Sequence, residues 1–165
     1  MSTTRFIGSK HDFDFLVGPW QVTNRRLRRR HEGSSDWDEF SATSQGWSLL
    51  DGGVSVDEIH FPAKGFGGST VRTLDCAQQR WSIYWINSIV GRLFPPVIGG
   101  FAGDRGEFYG EDTDEGRPIN VRFIWLRGVD SGCPRWEQAF SLDGRAWETN
   151  WVMEFSRPAD QPPLR

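Results

Sequence analysis

Two short stretches near the C-terminus constrain the fold of this chain most. Residues 135–141 read Arg-Trp-Glu-Gln-Ala-Phe-Ser, and residues 146–155 read Ala-Trp-Glu-Thr-Asn-Trp-Val-Met-Glu-Phe. Leu142-Asp143-Gly144-Arg145 lies between them as a turn. In extended chain, Trp136, Gln138 and Phe140 share one face of the first stretch. Trp147, Thr149, Trp151, Met153 and Phe155 share one face of the second, with Glu148, Asn150 and Glu154 opposite. A period of two over this length is β and not helix. A hairpin with bulky aromatics on one face suits a sheet curled around an interior wide enough for aromatic rings.

The rest of the chain fits the same plan. Residues 20–30, 37–45, 54–61, 69–74, 80–89 and 117–127 read as further strands, with a short extended piece at 107–110. Turn signals separate them, among them Gly33-Ser34-Ser35, Leu50-Asp51-Gly52-Gly53 and the acidic run 111–115. Before the first strand, His11 to Val17 suits a short helical turn, with Asp12 near its start. Residues 91–106 mix Gly and Pro with Leu93, Phe94, Val97, Ile98 and Phe101. They read either as a long loop forming a lid or pocket edge or as a strand with glycine bulges. About eight to ten neighbouring antiparallel strands lose their edges most simply by closing into an up-and-down barrel. The expected fold is all-β: one barrel over residues 11–158, with tails at 1–10 and 159–165. At 165 residues, such a chain is long enough to bury its own core.

Composition narrows the function. A net charge of −3 argues against a general nucleic-acid binder. No apolar run approaches the ~20 residues of a membrane span, and residues 1–10 lack the apolar core of a signal peptide. The chain is therefore expected in the cytoplasm, with Cys76 and Cys133 as reduced thiols. Nine Trp and twelve Phe suit either a ligand-binding barrel or a densely packed core. A homodimer is left open, and so is a structural module whose barrel is filled by its own Trp side chains. No metal or cofactor is expected. The run 111–116 lacks the ligand pattern of a calcium loop, and 65–70 lacks the Lys and helix of a phosphate loop. A haem pocket would rest on His60 alone.

Phe13-Asp14-Phe15-Leu16-Val17-Gly18-Pro19-Trp20, a short turn delivering Gly-x-Trp into a strand, resembles the start of a calycin or lipocalin-like barrel. Residues 11–158 also resemble a bacterial family of small calycin-like proteins of undefined function. The matching segments are 13–20, Trp-Ser-Ile-Tyr-Trp at 81–85, Val-Arg-Phe-Ile-Trp at 121–125 and 135–141. The resemblance implies that Trp20 plugs the closed end and that Arg157 packs across it. Some such barrels carry ligands. Others, encoded among biosynthetic genes, are cofactor-free cyclases or isomerases of secondary metabolism. The resemblance leaves both open.

With Trp20 pointing inward, alternation brings Val22, Asn24, Arg26 and Arg28 inward too. The aromatic faces 81/83/85, 121/123/125, 136/138/140 and 147/151/153/155 follow. Trp85, Phe123, Trp125, Trp151 and Met153 are the expected walls of a small-molecule site. Asn24, Arg26, Asn87 and Gln138 are its expected polar groups. Arg26 suits a carboxylate or phosphate ligand, or a pairing with Glu39 or Glu58; the bland alternative is a solvated strand end. Glu58 and His60 stand at i and i+2 beside Val54 and Val56. Turned inward, they would form an acid–base pair working near neutral pH with Arg26 or with Tyr84 and Tyr109. Turned outward, they are a rim pair facing water.

Overall fold

The computed structural model describes residues 3–159. Ten antiparallel strands close into one up-and-down barrel, each paired with its sequence neighbours and β10 returning to β1. They are β1 (Gly18–Leu27), β2 (Trp37–Leu49), β3 (Val54–Phe61), β4 (Phe66–Asp75), β5 (Arg80–Asn87), β6 (Val97–Ala102), β7 (Arg105–Asp114), β8 (Arg117–Leu126), β9 (Arg135–Ser141) and β10 (Glu148–Ser156). The seam runs from Gln21 opposite Ser156 to Arg26 opposite Trp151. Closure pairs every edge that an open meander would leave bare. Along β1, Trp20, Val22 and Asn24 are buried while Gln21 and Thr23 are exposed, the two-faced pattern a barrel wall requires.

The end at which β1 begins is plugged. A single 3-10 turn, Asp14–Leu16, lies across it. Phe13 inserts among Trp81, Phe101 and Phe108, with ring centroids 4.9, 5.1 and 5.8 Å away. Trp20 donates its indole N–H to the Leu16 carbonyl at 3.0 Å. The Arg157 guanidinium lies 3.6 Å from the centroid of the Trp20 ring and donates to the Pro19 carbonyl at 2.9 Å. Gly46 lets the turn approach so closely, because a Cβ there would sit 2.2 Å from the Leu16 oxygen. Asp12 does not cap the turn. Its carboxylate accepts from the Trp81 indole and from Arg127, each at 3.0 Å, tying β5 and the β8–β9 loop to the plug.

Several local expectations are corrected. Residues 1–2 and 160–165 of the expected tails lie outside the described residues, but residue 7 is no tail: Ile7 bridges Phe101 through two backbone hydrogen bonds. Gly100 permits this, since its Cβ would meet Ile7 backbone at 2.4 Å. The acidic run is not a turn. Glu111 to Asp114 belong to β7, and only Glu115 and Gly116, with φ of 51° and 79°, form the two-residue turn. Within residues 91–106, Val97–Ala102 form β6, while 91–96 belong to the loop 88–96 at the open end. Trp147 lies outside the barrel, against Tyr109 and Arg122. Its parity is lost at a bulge: Thr149 faces Ala139 and Trp151 faces Gln138, leaving Asn150 as the extra residue.

Candidate functional site

The inward faces meet in a cavity of about 320 Å³ that opens at the end where β1 finishes. Its apolar wall includes Ile83, Trp85, Phe123, Trp125, Trp136, Trp151 and Met153, and Phe94 and Pro95 of the 88–96 loop edge the mouth. Trp136 stacks edge-on to both Phe123 and Trp151, at 5.0 and 5.8 Å, which fixes the ring positions. All five wall residues expected from the sequence line this space. The volume lies at the small end of the range for small-molecule pockets.

Of the expected polar groups, Arg26, Asn87 and Gln138 line the cavity. Arg26 stands at the mouth with its guanidinium carbon 4.4 Å from the centroid of the Trp151 ring. It makes no ion pair among the described residues; Asp114 and Asp38 act on it only through space. Burial, with Arg30 nearby, lowers its pKa from the usual arginine value. Such a cation is costly to hold in a half-buried site unless an anion joins it. Asn24 is fully buried behind the wall, where its oxygen accepts the Trp151 indole N–H at 3.0 Å and fixes that ring. Gln138 donates to the Asn150 oxygen at 2.8 Å. Asn87 shapes the mouth loop, since its oxygen accepts from the Ile89 and Val90 amides at 3.1 and 2.9 Å.

Glu58 and His60 are not in the cavity. They form a pair at 2.8 Å on the outer wall, with side chains 56% and 60% exposed. The inward residues of β3 are Ser55, Asp57, Ile59 and Phe61. Arg28 is also outside, paired with Asp36 and Asp38. Arg26 therefore meets neither Glu39 nor Glu58. Tyr109 is exposed on the outer wall, 3.5 Å from Glu107.

Two polar clusters were not foreseen. On the cavity floor Arg72, 2% exposed, pairs with Asp57 at 2.6 Å and donates to the Ser55 hydroxyl at 3.1 Å. Its guanidinium carbon lies 5.0 Å from the Phe13 ring centroid and 5.6 Å from that of Trp125. At the mouth Arg30 grips Asp114 through two hydrogen bonds, of 2.8 and 2.7 Å. His31 bonds the same carboxylate at 2.8 Å, and its backbone N–H donates to Glu148 at 2.8 Å. This strap fastens the β1–β2 loop to the ends of β7 and β10. The Arg30 hydrogen bonds, helped by His31, hold the Asp114 carboxyl below the ordinary carboxylate range.

No protein family model matches the chain. A segment of 64 residues is 38% identical to part of ribosomal RNA small subunit methyltransferase H of Albidiferax ferrireducens, covering 39% of this chain. The chain spans about a fifth of that protein, 21% of its length.

Proposed function

We propose that this protein is a calycin-like binding barrel of the bacterial cytoplasm for a small molecule with an aromatic or apolar body and an anionic group. The observation that carries the reading is Arg26, a cation in an aromatic cavity, stacked on Trp151 and without a carboxylate partner among the described residues. A bound carboxylate supplies that partner, and the surrounding rings take the apolar body. The Trp20 plug crossed by Arg157 supports the calycin likeness. The methyltransferase match covers too little of that protein to carry its activity here, and the acidic balance suits RNA poorly. An acid–base role for Glu58 and His60 is not part of the proposal, because the pair lies outside the cavity.

The test is calorimetric titration with 2-naphthoate and its neutral isostere 2-naphthamide. The acid is expected to bind about tenfold tighter or more, the worth of one hydrogen-bonded charge. Arg26→Met is expected to abolish the difference. Equal affinities in the unaltered protein contradict the anionic assignment, and no binding of either compound contradicts the binding reading.

A further inference from the structure

The floor of the cavity differs chemically from its mouth. Arg72 stands at the sixth position after the mouth end of β4, against the Phe13 plug. Its charge is already matched by Asp57 at 2.6 Å, so the floor is neutral overall. Its Nη1 donates to Ser55 and its Nη2 to Asp57, yet its Nε–H, buried, has no acceptor among the described residues. Asn150, which also lines the cavity, has a buried amide nitrogen that lacks one too among the described residues. A buried donor without an acceptor is costly, and one beside a cavity is satisfied by an acceptor that enters it.

We infer that the cavity takes an aromatic oxo-acid, with its carboxylate at Arg26 in the mouth and an uncharged carbonyl oxygen at Arg72 on the floor. This rests on the binding reading and specifies its ligand. The floor oxygen is uncharged because a second carboxylate there would face Asp57 across a low-dielectric site. A ketone or quinone oxygen accepts the Nε–H and brings no charge. The two ends thus set the ligand's direction: acid outward, carbonyl inward. The cavity volume suits roughly two linked or fused rings between them.

The test compares 4-benzoylbenzoate with 4-benzylbenzoate, which differ only by C=O in place of CH2. Calorimetry on the full chain is expected to show the ketone binding about tenfold tighter, one charge-assisted hydrogen bond. In the double variant Arg72→Met/Asp57→Asn, which leaves no buried charge unpaired, the two are expected to bind within about twofold. Arg26→Met is expected to weaken both alike and keep the ketone preference. A readout on the unaltered protein does not depend on the double variant folding: the ketone, and not its methylene analogue, moves the Arg72 Nε–H resonance downfield. Equal affinity of the two compounds overturns the floor assignment and leaves the anionic mouth standing. A preference that survives the double variant, or an unmoved Arg72 resonance, also overturns it. Binding of neither compound removes the binding reading and this inference together.

Discussion

The two ends of this barrel are built from the same strands and solve different problems. The closed end is aromatic and interlocked. Phe13 meets Trp81 and Phe101 edge to face and lies tilted against Phe108, and the Trp81 and Trp20 indole N–H groups are tied to Asp12 and Leu16. The open end is held by charges: Arg30 and His31 on Asp114, Arg28 on Asp36 and Asp38. Between them the rings still line a space instead of filling it. Burial holds the closed end together, whereas the mouth keeps a half-buried cation, Arg26, that makes no ion pair among the described residues.

The largest effect is expected at the plug. Phe13→Ala is expected to destabilise the protein by about 3–5 kcal/mol, as for large core truncations. Denaturant unfolding measures this, and a loss under about 1 kcal/mol would show that the 3-10 turn merely covers the end. Arg26→Met sharpens the contrast from the other side. It is expected to leave the midpoint of unfolding unchanged or slightly raised, since it removes a desolvated cation. It should weaken an aromatic carboxylate by about 1.5–3 kcal/mol. A variant that unfolds early while binding normally reverses the assignment of the two ends.

Arg157→Met removes a guanidinium from the Trp20 face and a bond to Pro19. About 1 kcal/mol is expected, because the side chain is partly solvated. Near-UV dichroism of Trp20 should change with it, and an unaltered spectrum argues against the stacked geometry. Asp114→Asn is the smallest, about 1 kcal/mol or less. Its sign with pH is fixed. The folded carboxyl titrates below its unfolded value, so the stabilisation is present above about pH 4 and is lost as pH falls through the lower folded value. The stability gap between the unaltered protein and the variant should close in acid. A gap of constant size there means that the strap does not depend on ionised Asp114.

Much of this was legible in the sequence, because period two is a direct print of the wall. The strands at 54–61 and 135–141, the barrel and, once Trp20 is turned inward, the five wall residues follow from alternation. Alternation failed where it was locally ambiguous. On β3 both faces carry apolar residues, Val54 and Val56 on one and Ile59 and Phe61 on the other. The larger pair faces in, and it carries Asp57 with it. Parity read from Phe61 and Phe66 would have placed Asp57 and Arg72 on the interior; parity read from the valines put Glu58 and His60 there. At Trp147 the cause is the Asn150 bulge, which inserts a residue without any composition signal. The Arg30–Asp114 pair joins residues 84 positions apart, a separation that no local pattern encodes.

On the proposed reading, the cavity receives an aromatic acid through the mouth, carboxylate outward. A crystal grown with 6-bromo-2-naphthoate tests it directly through the anomalous signal of bromine. The bromine peak is expected inside the barrel among Trp85, Phe123 and Trp136, with the carboxylate at Arg26. Bromine on the outer wall beside Tyr109 and Trp147, or a carboxylate turned toward Arg72 on the floor, would contradict it.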